Sequence, residues 1–175
     1  GMKTVEVINI LSNKYKIRDK EKFYLEIFDI VSNIYSNELK LVNGAEKYIK
    51  NSKRNLFIGS NSNKERIIEG IQIVGLSNIF LKEKIYSFDM VQKPKPNPDI
   101  YLKVVNDNAL KIDETVIIED SGIGIKAANL AGIKVFGLTA GKHWHSNRDK
   151  NELYDNGALE VFSNYEDLAS AIESL

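Results

Sequence analysis

The sequence contains no cysteine in its 175 residues. That excludes disulfides and thiolate metal ligands and fits a reducing compartment. Two histidines are too few for a zinc site built on imidazoles alone. With three prolines and no Gly-rich tract, nothing reads as a linker, an internal repeat or a low-complexity segment. Neither sign of charge dominates, because 24 Lys+Arg stand against 24 Asp+Glu. That balance favours neither nucleic acid nor an anionic membrane surface as a partner. Apolar runs fall far short of the roughly 20 residues that span a bilayer. No basic start, apolar stretch and small-residue cleavage site occur together. These absences lead us to expect a cytoplasmic chain. Gly1 reads as a remnant of expression ahead of Met2 and is left out of the folding argument. What is present, 43% hydrophobic and 27% charged residues, suits one globular core with a small appendage.

The patterning changes near residue 40. In Glu21–Tyr35, the apolar residues Phe23, Ile27, Ile30, Val31 and Ile34 recur at helical spacing. This stripe is expected to pack against the rest of the chain. Thr4–Tyr15 is ambiguous, since Val5, Val7, Ile8 and Ile10 also suit a strand, but its place before a second helix favours a helix. From Gly44 onward, helix and strand patterns alternate. Strands are expected at Asn55–Gly59, Lys84–Phe88, Thr115–Glu119, Lys134–Leu138 and Leu159–Phe162. Helices are expected at Ala45–Asn51, Lys64–Val74, Pro98–Leu110, Gly122–Ala131 and Tyr165–Ser174. Such alternation predicts an α/β fold, a Rossmann-like three-layer arrangement with a parallel sheet covered on both faces.

Ligands of open α/β sheets bind at the carboxyl ends of the strands. There the sequence places Ser60-Asn61-Ser62 after one strand and Glu119-Asp120-Ser121-Gly122 after another. A loop carries Lys95-Pro96-Asn97-Pro98-Asp99 into a helix. A hydroxyl, an ammonium and two adjacent carboxylates at one mouth can hold a phosphoryl group and a divalent metal together. The hydroxyl donates to phosphate oxygens, the lysine neutralises charge, and carboxylates give a hard cation its oxygen ligands.

These segments resemble the haloacid dehalogenase superfamily, in its helical-cap subgroup similar to phosphoglycolate phosphatase and beta-phosphoglucomutase. Phe57-Ile58-Gly59-Ser60-Asn61-Ser62 is similar to the second family motif, Lys95 to Tyr101 to the third, and Glu119 to Ala128 to the fourth. The resemblance implies an HAD-like core over residues 41–175 and a partial helical cap over residues 1–40. It also implies a Mg²⁺-dependent phosphohydrolase that acts on a small phosphorylated metabolite through an aspartyl-phosphate. Ser60, Asn61 and Lys95 would bind the phosphoryl group, Ser60 and Lys95 would assist catalysis, and Asp120 and Glu119 would serve Mg²⁺. The first motif, Asp-x-Asp-Gly-Thr on the opening strand, has no match, and no Asp-x-Asp occurs in the sequence. We expect it to lie upstream, so that the chain by itself is inactive. Ile27-Phe28-Asp29 imitates it, but Val31 replaces the second acid and Asp29 falls within a helical pattern.

Competing readings exist for most of these residues. Asp120 can simply cap the following helix, and Lys93 competes with Lys95, although only Lys95 fits the proline spacing. Gly122 to Ala127 also matches a dinucleotide fingerprint, but Glu119 and Asp120 would repel a pyrophosphate. His143 and His145, with no third ligand nearby, read as a surface loop at the rim of the mouth. A phosphomutase and a non-catalytic binding protein are the rival functions. If the first strand is absent, the strands ending at Ser60 and Glu119 are expected to pair directly or to associate with another chain through their open edges.

Overall fold

The computed structural model describes residues 4–175. The chain divides into two compact units, one ending at Lys40 and the other running from Leu41 to Leu175. The first unit is a pair of packed helices, α1 (Thr4–Lys14) and α2 (Lys20–Glu38). The β-branched residues of Thr4–Tyr15 therefore sit in a helix. Asp19 caps α2, accepting the Lys22 N–H at 3.0 Å. The stripe on α2 is not buried as expected. None of its residues is buried, and Ile30 and Ile34 are about half exposed.

The second unit runs α3 (Ala45–Asn51), β1 (Ile58–Ser60), α4 (Lys64–Ile73), β2 (Ile85–Ser87) and α5 (Asp99–Asp107). It continues with β3 (Val116–Glu119), α6 (Gly122–Leu130), β4 (Lys134–Leu138), α7 (Asn151–Asp155), β5 (Val161–Phe162) and α8 (Tyr165–Glu173). Side-chain caps start three of these helices. Asn63 accepts from Arg66 N, Ser121 from Gly124 N, and Asn164 from Glu166 N and Asp167 N. Gly75 and Gly132, at φ of 73° and 72°, end α4 and α6 in the left-handed conformation that favours glycine.

All strand pairing is parallel. β1 runs beside β2, with Ser60 opposite Ser87, and β4 lies between β3 and β5. α4 packs on β2, α5 on β1 and β2, α6 on β3 and β4, and α8 on β4 and β5. One core gathers Ile117, Ile125, Val135 and Leu153 between β3, β4, α6 and α7, and Ile125 and Leu153 are fully buried. Burial of each such side chain stabilises the fold by about 1.5–3 kcal/mol.

The strands form two separate sheets, β1-β2 and β3-β4-β5. The expected direct pairing of β1 with β3 does not occur among the described residues, and Val5–Leu11 is helical, within α1. A cavity of about 620 Å³ separates the two strands. Leu56, Phe57 and Gly59 line one side of it, Val116, Ile117 and Ile118 the other, and Tyr101, Val104 and Val105 of α5 one wall. α5 packs on β1 and β2 and also on α6, so it contacts one sheet and a helix that covers the other.

Candidate active site

β1 and β3 end at the same mouth, and Lys95 spans it. Its ammonium donates to the Gly59 carbonyl at 2.8 Å and to Glu119 Oε1. Lys95 is buried, and the side chain of Glu119 is only 10% exposed. The loop carrying Lys95 is fixed by a reciprocal amide pair. The Lys95 N–H donates to Asn61 Oδ1, and Asn61 Nδ2 donates to the Lys95 carbonyl, both at 3.0 Å. Thus Asn61, expected to contribute to phosphate binding, spends a donor and an acceptor on positioning Lys95. Ser60 Oγ accepts the Ser62 N–H at 3.1 Å. That bond uses a lone pair and leaves the hydroxyl proton free to donate.

Both oxygens of Glu119 are engaged. Oε1 takes the Lys95 ammonium and the Tyr101 hydroxyl, the latter at 2.5 Å, and Oε2 takes Asp120 N–H and Ser121 Oγ, each at 3.1 Å. Burial alone would push this carboxyl up, but the Lys95 charge and the hydrogen bonds from Lys95, Tyr101 and Ser121 outweigh it and hold the group below its ordinary value. The same contact raises the Tyr101 phenol well above its usual range, through burial first and the Glu119 charge second. Gly124 is required here by close approach, because a Cβ would lie 2.0–2.3 Å from the Glu119 carboxylate atoms.

Asp120 is placed differently. Its side chain is 58% exposed, and its neighbour across the mouth is His143, with Nε2 3.4 Å from Oδ2. Desolvation by the surrounding walls and the adjacent Glu119 charge raise its carboxyl, against the opposing pull of His143 and Lys95. Of the two acids, Asp120 alone has a carboxylate open to a ligand. The described residues contain no group of three or more His, Cys, Asp or Glu able to hold a metal. The pair therefore fits part of a hard-cation site, with Asp120 as the protein anchor and Glu119 holding the loop behind it.

The structure brings together Ser60, Asn61, Lys95, Glu119 and Asp120, three segments far apart in sequence. It adds residues not foreseen as partners. Trp144 Nε1 donates to the Asp120 carbonyl at 2.9 Å, and the Arg148 guanidinium stacks 3.8 Å over the Trp144 ring. Arg148 also forks onto Glu152, which accepts the Gly122 N–H at 3.2 Å. Only the i,i+4 spacing of Arg148 and Glu152 was visible beforehand as a signal for this latch. Asp29 lies exposed within α2 and not at a strand end.

This combination of parallel sheet, buried lysine–carboxylate pair and strand-end hydroxyl places the chain in a known class. Residues 1–138 match the haloacid dehalogenase-like hydrolase family, and the chain belongs to it. It is similar to the phosphorylated carbohydrates phosphatase of Thermotoga maritima, at 27% identity over 91% of this chain and 73% of that protein. The 6-phosphogluconate phosphatase of Escherichia coli is 20% identical over 82% of this chain and 65% of its own length. Among solved structures, a haloacid dehalogenase-like protein of unknown function from Agrobacterium tumefaciens superposes with a TM-score of 0.85 at 27% identity. That match covers 99% of this chain and 78% of the other. A Thermotoga maritima protein provisionally assigned as a beta-phosphoglucomutase gives 0.81 at 27% identity, over 100% and 80% of the two chains. Among the described residues, no helix is long and apolar enough to cross a membrane.

Proposed function

We propose that this chain carries the phosphate-binding face of a hydrolase acting on a small phosphorylated carbohydrate in the cytoplasm, with residues 1–40 as part of a helical cap. The observation that carries the reading is the buried Lys95 ammonium between Gly59 and Glu119 at the ends of β1 and β3. A buried cation held there by one carbonyl and one carboxylate is preorganised for an anion, so it needs no rearrangement when a phosphoryl group arrives. Ser60 donates its hydroxyl to a phosphoryl oxygen, Lys95 offsets the charge that develops during transfer, and Asn61 keeps Lys95 in register. Glu119 holds Lys95 and the Asp120 loop in place. Asp120 anchors Mg²⁺, which when bound neutralises part of the phosphoryl charge. The sugar-phosphate class follows from the relatives' substrates, two of which are phosphorylated carbohydrates by name.

The sequence contains no Asp-x-Asp pair, and no nucleophilic carboxylate is assigned within it. The aspartyl-phosphate chemistry of the family therefore requires an acid from outside these residues. Binding, as distinct from turnover, is accordingly the direct test. Titration of glucose 6-phosphate followed by ³¹P NMR in Mg²⁺ should show saturable binding that Ser60→Ala weakens about tenfold, the loss of one charge-assisted hydrogen bond. Binding unaffected by Ser60→Ala and by Asp120→Ala would place the ligand elsewhere and refute the reading.

A further inference from the structure

We propose that Trp144, Arg148 and Glu152 are positioning residues for the Asp120 carboxylate. Together they hold the Asp120–Gly122 turn at both ends and so set the affinity of Asp120 for a divalent cation. The inference deepens the functional reading and rests on it for Asp120 as the cation's anchor.

These three side chains close a ring through the turn. Trp144 Nε1 donates to the Asp120 carbonyl at 2.9 Å. The Arg148 guanidinium lies 3.8 Å over the Trp144 ring, a planar cation on an aromatic face. Arg148 Nε and Nη2 fork onto the Glu152 carboxylate at 3.0–3.1 Å. Glu152 Oε1 accepts the Gly122 N–H at 3.2 Å, which completes the ring. The ring thus grips one group from each of the two peptide units around Ser121. On the opposite side of Asp120, its own N–H donates to Glu119 Oε2 at 3.1 Å. Both peptide units that flank Asp120 are therefore fixed, one by Glu119 and the other by Trp144.

The Asp120 side chain is held less firmly than its backbone. It is exposed, and it faces His143, also exposed, with Nε2 3.4 Å from Oδ2. Its direction is accordingly set by the backbone beneath it. A cation site needs its oxygen ligands aimed before the ion arrives, and groups behind the ligand supply that order.

The rival account is that the ring only fastens α7 to the core. Yet α7 has other anchors, since Leu153 is fully buried and Asn156 Nδ2 donates to the Glu152 carbonyl at 2.7 Å. Arg148 and Glu152 keep 26% and 41% of their side-chain surface exposed, and a pair so exposed adds little to stability. The approach is also close at the turn itself. A Cβ on Gly122 would lie 2.9 Å from Asn156 Nδ2 and 3.2 Å from Glu152 Oε1. Glycine there lets Glu152 reach the amide of the turn.

The test separates stability from cation affinity. The probe is Mn²⁺ alone, with free Mn²⁺ counted by electron paramagnetic resonance, on variants shown to be folded by thermal melts. Wild type should bind weakly, and Asp120→Ala should abolish that binding. Trp144→Phe keeps a ring for Arg148 and loses the N–H, Arg148→Lys keeps the charge and loses the fork, and Glu152→Ala frees the Gly122 amide. Each should weaken Mn²⁺ binding about tenfold while lowering the melting temperature by less than about 3 °C. Gly122 amide exchange should quicken at least about threefold in all three without any metal. The sequence has one tryptophan, so one indole N–H resonance reports on Trp144, and its exchange should quicken in Arg148→Lys and Glu152→Ala. Asp107→Asn breaks a comparably exposed pair with Lys103 on α5 and should leave Mn²⁺ affinity unchanged. Unchanged affinity in the three variants, an equal loss in Asp107→Asn, or lost affinity with Gly122 and indole exchange unaltered would overturn the inference. Intact Asp120-dependent binding that these variants leave alone refutes the inference and spares the functional reading. Absence of Asp120-dependent Mn²⁺ binding in wild type refutes the reading of Asp120 as anchor, and the inference with it.

Discussion

Replacing Lys95 by Met isolates the interaction on which the site depends. Lys95 and Glu119 have side chains only 6% and 10% exposed, and they form the one buried ion pair among those described. The substitution keeps most of the volume and removes the charge, leaving Glu119 with hydrogen bonds from Tyr101, Ser121 and the Asp120 N–H. Breaking a buried pair from one side costs about 3–5 kcal/mol. The three surviving bonds place this case at the low end, about 3 kcal/mol, which lowers the melting temperature of a chain this size by about 6–12 °C.

The pH dependence has a definite sign. In the native protein the Glu119 carboxyl is held below its ordinary value, so its contribution is present at neutral pH and is lost as pH falls through that lowered value. In Lys95→Met, burial without the ammonium raises the carboxyl instead. The destabilisation is then full at pH 7 and shrinks at acid pH, where the buried group takes a proton. Thermal melts of wild type and variant at pH 7 and near pH 5 measure this, and Lys95→Met with Glu119→Gln should recover at least half of the loss. A fall of less than about 2 °C at pH 7, or an equal fall at both pH values, would refute the reasoning.

Gly124→Ala forces a Cβ onto the Glu119 carboxylate at 2.0–2.3 Å and should destabilise by about 1–3 kcal/mol or more in urea unfolding. Mg²⁺ binding by calorimetry should be weak, because Asp120 is the one open carboxylate of the pair, and Asp120→Ala should abolish it. Micromolar affinity would show a more complete site. The chain alone should not turn over para-nitrophenyl phosphate with Mg²⁺ at ordinary enzyme rates, since loss of a covalent nucleophile costs many orders of magnitude. Turnover on a scale of several per second would show a nucleophile we have not assigned, and Asp29→Asn would then be the first variant to make.

Much of the core could be read from local pattern, because its strands are short apolar runs closed by glycine or by strand-end polar residues. Lys134–Leu138 forms β4 over its whole expected length because it has partners on both sides. Asn55–Gly59 was expected as a strand, yet only Ile58–Ser60 is one. Asn55, Leu56 and Phe57 form no ladder, so apolar content alone does not make them a strand. The convergence of Ser60, Lys95 and Glu119 was legible because strand ends share one edge of an α/β sheet. The role of Asn61 was not, since a reciprocal bond to a backbone 34 residues away has no local signature. The Trp144–Arg148–Glu152 latch was missed although Arg148 and Glu152 stand at i,i+4, because it depends on how the loop after β4 returns over the Asp120 turn. Whether β1 and β3 would close on each other was also beyond local pattern, because pairing between strands far apart in sequence has no local signature.

The central claim is that a phosphoryl group binds at the shared ends of β1 and β3. A crystal of this chain soaked with tungstate and Mn²⁺, measured by anomalous diffraction, tests it most directly. The account predicts a tungsten peak within hydrogen-bond distance of Ser60 Oγ and Lys95 Nζ, and a manganese peak on the Asp120 carboxylate. A tungsten peak away from Ser60 and Lys95, with that mouth empty at the same tungstate concentration, would contradict it.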